Sequence, residues 1–357
     1  MIRVLVADDS PTARTLMVEI LKSDPELTVV GTAKDGAEAV ELAKTLRPQL
    51  VTMDVEMPRM DGFEATKEIM IEAPTRIVVV TARVEGAEEA VSMPALRAGA
   101  VCVVRKPPSP RAAGHATEAQ QLLATVKAMA EVKVVRHTRA PGVRARPTRP
   151  GERGARVVAI AASTGGPAVL YRILSELPAD LAAPVLVVQH ISRGFISGLA
   201  GWLNAASGLK VRIAVADEVI APRTVYLAPD DRHLGMNDGR IVLSTAEPIG
   251  GFRPSASFLF ESVARGYGAG AVAIVLTGMG DDGMAGLRAL RAAGGRVLAQ
   301  DEKTSVVFGM PGAAVAADLA DEVLSVEDIA ARITALVAAP LLRVADGAFA
   351  RSQERPS

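Results

Sequence analysis

Cys102 is the only cysteine in the chain. An internal disulfide is therefore impossible, a cage of cysteine thiolates around a metal is excluded, and a reducing compartment is expected. Excess charge of either sign is also missing: 40 Lys and Arg stand against 40 Asp and Glu, a formal net charge of 0. The overall balance thus points to neither nucleic acid nor an anionic membrane surface as the main partner. No apolar stretch approaches the roughly 18 residues of a membrane helix. The opening MIRVLVADDS turns acidic by its eighth residue, without the apolar core and small-residue cleavage site of a secretory signal. What is present is ordinary globular composition, 49% hydrophobic and 22% charged. At 357 residues the chain exceeds what one core usually serves, so two domains are expected, in a soluble, cytoplasmic, monomeric protein.

The sharpest break in composition is VVRHTRAPGVRARPTRPGERGAR (134–156), with seven arginines, three prolines and no apolar periodicity. That is the composition of a solvated linker, placed at 134–155, and Val344–Ser357 reads as a frayed tail. Before the linker, strand candidates at 2–7, 27–32, 50–53, 76–80 and 101–104 alternate with amphipathic stretches such as GAEAVELAKTLR (36–47). After it, strand candidates at 156–162, 184–189, 224–228, 271–276 and 295–300 alternate with helices after Gly166 and near 195–206, 255–265 and 282–293. The rhythm predicts two doubly wound parallel α/β sheets, a domain at 1–133 and a larger one at 156–343.

Ligands of such sheets bind at the carboxyl ends of the strands. Asp8 and Asp9 follow the first strand and Asp54 follows the third. Carboxylates gathered there repel one another unless a hard cation joins them, and Mg2+ takes oxygen ligands. Thr81 ends the fourth strand and Lys106 the fifth. A hydroxyl and an ammonium facing a carboxylate-bound cation suit a phosphoryl group. The ordered set DD at 8–9, Asp54 in MDVEMPRMDG, Thr81 in VVVTAR and Lys106-Pro107 resembles the response-regulator receiver family. The resemblance implies that Asp54 accepts a phosphoryl group. Asp9, Asp54 and the Glu56 carbonyl would hold Mg2+ with Asp8 assisting, while Thr81 and Lys106 contact the phosphoryl oxygens. Receivers commonly carry an aromatic residue three positions before the lysine; Val103 stands there instead.

Three polar signals stand at strand ends of the second domain: STGGP (163–167), His190 after VLVVQ, and LTGMGDDGMAG (276–286). STGGP matches neither phosphate-loop motif and not the G-x-S-x-G nucleophile elbow. Taken alone it reads first as a helix cap, with Pro167 near the first helical position, then as an anion loop, and last as a turn exposing a nucleophile. Acyl transfer needs a hydroxyl, a base and a carboxylate that orients the base, and three strand ends can supply them. His233, with Asp230 or Asp231 as partner, competes for the role of base, and Ser192 for that of hydroxyl. His115 and His137 read as solvated residues of connecting segments. Asp281 and Asp282 could instead cap the helix after them, and an extra acid beside Asp282 could raise the pKa of either.

IAASTGGP, VLVVQHIS, LAPDDRHL, RPSASFLF and LTGMGDDGMAG, in that order behind a receiver and a linker, resemble the chemotaxis protein-glutamate methylesterase family, CheB. The resemblance spans roughly residues 1–340. It implies Ser163 as nucleophile, His190 as general base and Asp282 as its orienting acid. The Met279 N–H would be an oxyanion donor and Thr164 a supporting hydroxyl, with Gly165 and Gly166 giving the substrate carbonyl access. It further implies methyl-accepting chemoreceptors as substrate, glutamine deamidation at the same sites, and a chemotaxis-type histidine kinase as phosphodonor. Mg2+ is implied for the receiver and no cofactor for the ester chemistry. The unphosphorylated receiver is expected to cover the catalytic face.

Overall fold

The computed structural model describes residues 1–81, 94–95, 98–112, 114–130 and 154–338. Nearly all of the basic linker, the tail and His137 lie outside the described residues.

Runs rich in branched apolar residues become the strands of the N-terminal sheet. They are β1 (Ile2–Ala7), β2 (Leu27–Ala33), β3 (Leu50–Met53), β4 (Arg76–Thr81) and β5 (Cys102–Arg105). The strands are parallel in the order β2-β1-β3-β4-β5. Helices α1 (Pro11–Lys22), α2 (Gly36–Leu46), α3 (Gly62–Glu72) and α4 (His115–Ala130) cover it. Ser10, Asp35 and Asp61 cap the first three, each side chain accepting a first-turn N–H. Strand order reverses between β1 and β3, which opens a crevice at their carboxyl ends. His115 opens α4 and its Nδ1 lies 2.8 Å from the Pro108 carbonyl, so it belongs to a helix start rather than a connecting segment.

The strands of the second sheet are β6 (Val157–Ala162), β7 (Val185–Gln189), β8 (Lys210–Ile213), β9 (Thr224–Leu227), β12 (Ala271–Val275), β13 (Arg296–Gln300) and β14 (Glu322–Leu324). These seven are parallel in the order β14-β13-β12-β6-β7-β9-β8. Central β6 is buried along its whole length. Val158, Ile160 and Ala162 enter one apolar cluster, and Val157, Ala159 and Ala161 the other. A strand covered on both faces has no polar side to show, hence the unbroken apolar run. Six helices pack around this sheet: α5 (Gly166–Glu176), α6 (Ile196–Ala206), α7 (Ala256–Tyr267), α8 (Met284–Ala292), α9 (Met310–Ala316) and α10 (Val326–Ala338).

The structure adds elements to those expected from the sequence. β8 and β14 are short edge strands, and the hairpin of β10 (His233–Asn237) and β11 (Arg240–Ser244) stands apart as a two-stranded antiparallel sheet. Edge and half-exposed strands carry polar residues and lack the apolar run that marks a central one. The helices α9 and α10 close the chain's described end. No helix among the described residues is long and apolar enough to cross a membrane.

Candidate active site

Strand order in the larger sheet reverses beside β6, and the three polar signals converge at that switch point. Beyond β6, the Ser163 N–H donates to the Thr277 carbonyl (3.0 Å) and the Gly166 N–H to the Ser163 carbonyl (2.9 Å), closing a tight turn into α5. The N-cap of α5 is Gly165, at φ 77°, and no side chain caps it. The capping role weighed for Ser163 and Thr164 is therefore not theirs. Gly165 and Gly166 also sit close against neighbouring side chains. A Cβ at Gly165 would meet Val306 at 2.5 Å, and one at Gly166 would meet Gln189 Oε1 at 2.1 Å. Both glycines let the turn pack against its own domain, and Gly165 also lines the cavity beside Ser163.

His190 follows β7, and its N–H donates to the Ala162 carbonyl at 2.8 Å. Gln189, buried at the end of β7, donates through Nε2 to both the Ser163 and His190 carbonyls, each at 2.8 Å. One amide thus ties the serine turn to the histidine turn. The imidazole Nε2 lies 2.9 Å from Asp282 Oδ2. Asp282 does not cap α8, whose N-cap is Gly283 without a side-chain bond. It lies instead at the start of α7: Oδ1 accepts from the Ser255 hydroxyl (2.8 Å) and the Ser257 N–H (3.2 Å), and Oδ2 from the Ala256 N–H (2.7 Å). Burial opposes its charge, but the His190 hydrogen bond, the Ala256 N–H and the Ser255 hydroxyl outweigh burial and hold its pKa below the usual carboxylate value. The expected upward shift from the neighbouring acid is thereby corrected for Asp282, and Asp281 is exposed.

An ionised carboxylate only accepts, so Nε2 carries the proton in the Asp282 bond. Neutral His190 then has its lone pair on Nδ1, which is buried and has no hydrogen-bond partner. Ser163, Thr164, His190, Ser192 and Met279 line one wall of a cavity of about 160 Å³. The Met279 N–H takes part in no backbone hydrogen bond among the described residues. A hydroxyl, an imidazole with a bare nitrogen, an orienting carboxylate and a spare N–H suffice for acyl transfer.

The competing histidine is structural. His233 is fully buried in β10, its Nε2 3.1 Å from the Glu247 carbonyl and its Nδ1 accepting the Ser255 N–H at 3.2 Å. Asp230 accepts the Gly194 N–H and Asp231 pairs with Arg193, so neither serves His233.

The sequence pattern does not by itself point to Gln189, Ser255, Ser257, Phe252 or Thr277. A polar residue closing an apolar run, as in VLVVQ and AVAIVLT, was the available signal for two of them. Thr277 is fully buried; its hydroxyl donates to the Thr164 carbonyl (2.9 Å) and accepts the Val307 N–H (2.9 Å). Thr277→Val leaves both groups unsatisfied inside the protein. It is expected to lower stability by about 1–3 kcal/mol, read as a drop in Tm by calorimetry.

In the N-terminal sheet, carboxylate oxygens of Asp8, Asp9 and Asp54 lie within 4.8 Å of one another. Lys106 Nζ is 2.8 Å from Asp8 Oδ2 and 3.0 Å from Asp54 Oδ2. Burial raises the Asp54 pKa against the pull of Lys106. Thr81 is buried at the end of β4, and the Lys106 N–H donates to its carbonyl. Glu56 is exposed just past Asp54. Val101–Val104 of β5 and its approach, with Thr125 and Met129 of α4, form the opposite wall of the Ser163 cavity. Val306 and Val307 of the larger domain pack on the smaller domain's core. The smaller domain therefore covers the site. Burial pushes the Cys102 thiol in this cover up to about 12, so it stays protonated.

Comparison with known proteins finds matches to both domains. The family model described as CheB methylesterase matches residues 158–333, and that of the response regulator receiver domain matches 4–118. A Myxococcus xanthus relative named protein-glutamate methylesterase/protein-glutamine glutaminase 4 is 56% identical over 345 residues, 93% of this chain and 96% of the relative. One from Anaeromyxobacter dehalogenans, bearing the same name with the number 3, is 54% identical over 93% of this chain and 98% of its own. The crystal structure of the Thermotoga maritima CheB methylesterase catalytic domain superposes with a TM-score of 0.50 at 38% identity, covering 52% of this chain and all of that one.

Proposed function

Because the chain belongs to the CheB methylesterase family, we propose that it is a phosphorylation-activated serine hydrolase that removes methyl groups from glutamate γ-methyl esters of chemoreceptors and deamidates receptor glutamines, in chemosensory adaptation. The observation that carries this reading is the connected set at the sheet's switch point: Gln189 ties the Ser163 and His190 turns together, and Asp282 holds the His190 proton on Nε2.

In the first half-reaction His190 Nδ1 takes the Ser163 hydroxyl proton as Oγ bonds to the ester carbonyl carbon. The Met279 N–H stabilises the resulting oxyanion, with Thr164 beside it. The carbon–methoxy bond breaks, methanol leaves with the proton returned by His190, and an acyl-serine remains. Water, deprotonated by His190, then releases glutamate and free Ser163. For a glutamine side chain the leaving group is ammonia and the rest is unchanged.

The reading assigns residues 1–133 to a receiver, 134–155 to the linker and 156–343 to the esterase. Asp54 is the phosphoacceptor, a histidine kinase of the chemotaxis type the donor, and Thr81 and Lys106 the contacts of the phosphoryl group. Three carboxylates with oxygens this close suit a divalent cation. Asp8, Asp9, Asp54 and the Glu56 carbonyl would hold Mg2+, which when bound neutralises charge on the phosphoryl oxygens.

The receiver lying over the Ser163 cavity supports inhibition in the unphosphorylated chain. Tethering raises the effective concentration to about 1 mM, so a contact as weak as about 0.1 mM keeps the site mostly covered. A fragment beginning at Gly154 is accordingly expected to release methanol from methylated receptors about tenfold faster than the unphosphorylated full chain. Acetyl phosphate with Mg2+ should activate the full chain and leave the fragment unchanged. Equal basal rates for fragment and full chain would count against inhibition by the receiver.

A further inference from the structure

We propose that Phe252 is a positioning residue for the esterase reaction: it fixes the plane of the His190 imidazole and favours the imidazolium that forms during acylation. The inference rests on His190 being the general base. The observation behind it is the stack of the two rings, with centroids 4.3 Å apart and planes 11° from parallel.

Asp282 alone cannot fix the base. A single hydrogen bond at Nε2 leaves the ring free to turn about the line through that nitrogen, which would swing Nδ1 away from the serine. An aromatic face packed parallel to the imidazole removes that freedom. It also presents the negative face of its π-system to a ring that is neutral before the proton transfer and cationic after it. The stack thus gains strength as charge develops, which is what raises a rate rather than only a binding constant.

The chain around Phe252 holds it there from both sides. The Ile249 N–H donates to the Phe252 carbonyl (3.1 Å) and the Phe252 N–H to the Ile249 carbonyl (3.0 Å). The two residues between them are Gly250 and Gly251, at φ 59° and 86°. Positive φ at both central positions is the tight turn that glycine permits. Beyond Phe252, Arg253 Nη1 donates to the Thr245 and Ala246 carbonyls, both at 3.2 Å. Two residues further, the Ser255 hydroxyl reaches Asp282 Oδ1. One strap from β11 to α7 therefore touches both the base and the acid that orients it.

Of the charged and titratable groups near the ring, Asp282 is bonded to it, Arg253 of the strap is held by the Thr245 and Ala246 carbonyls, Arg193 is turned to Asp231, and the Cys102 thiol on the receiver side stays neutral. A shift in the histidine's titration on changing Phe252 therefore reports on the stack.

The test uses the full chain, activated by acetyl phosphate and Mg2+, with methanol release from methylated receptors measured against pH. Phe252→Leu is expected to lower kcat about tenfold with KM within about twofold. The acid limb of kcat/KM, which reports the histidine, should fall by up to about one pH unit, because the cation has lost its partner. Phe252→Trp keeps a stacking face and should restore both. Phe252→Leu with kcat within about twofold and an unmoved acid limb, beside an inactive His190→Ala, overturns the inference and leaves the esterase reading standing. A loss of kcat with lowered Tm, an unmoved limb and no rescue by tryptophan also overturns it, since the strap would then matter only for folding. An active His190→Ala overturns the reading of His190 as base, and the inference with it.

Discussion

Ser163→Ala is expected to reduce methanol release from methylated receptors by about 10⁴-fold or more, because the acyl-enzyme route disappears with its nucleophile. The residual rate would come from substrate binding and oxyanion stabilisation, which the substitution leaves in place. Folding should be spared. The Ser163 hydroxyl makes no hydrogen bond within the described structure, and the turn is held through backbone groups by Thr277, Gly166 and Gln189. Alanine retains all of those bonds, so an unchanged Tm should accompany the loss. The measurement is methanol release by the phosphodonor-activated full chain, wild type beside variant. A rate near wild type would remove Ser163 from the reaction.

Asp282→Asn should have the next largest effect, a fall in kcat of roughly 10³–10⁴-fold, through the histidine's protons rather than through folding. All four bonds to this carboxylate come from donors: two backbone N–H groups, the Ser255 hydroxyl and His190 Nε2. An asparagine must point its NH2 at one pair of them. Placed at the Oδ2 side, the amide can be met only if His190 shifts its proton to Nδ1, which removes the lone pair the reaction needs. Placed at the Oδ1 side, it confronts the Ser257 N–H and loosens the clamp. The check is kcat together with the imidazole nitrogen shifts by NMR, which distinguish the two tautomers. An Asp282→Asn protein with the wild-type tautomer and wild-type kcat would show that Asp282 does not orient the base.

Much of the site was legible because polar residues interrupt apolar runs at strand ends. Ser163 and His190 directly follow buried strands and Asp282 lies in the turn after another, while in the smaller domain Asp8 and Asp54 follow β1 and β3, Thr81 ends β4 and Lys106 follows the half-buried β5. Central parallel strands announce themselves by composition, so both sheets could be placed from the apolar runs alone. The β10–β11 hairpin and the short edge strands could not, since short strands that mix polar and apolar residues show no strong period. Nor could Phe252, whose neighbours in sequence are two exposed glycines and a half-buried arginine.

Local pattern was enough to specify two α/β domains, the order of their strands' polar ends, and which hydroxyl, imidazole and carboxylates were available. Those properties follow from local spacing and from the solvent preference of each side chain. Tertiary structure alone decided the assignments between them. It committed Asp282 to His190 and set His233 in the core, because partner choice depends on where separate loops meet. It turned Gly165 and Gly166 inward against Val306 and Gln189, and laid the receiver over Ser163. Each is a contact between segments distant along the chain, and no local pattern specifies which of several donors and acceptors will be brought within about 3 Å.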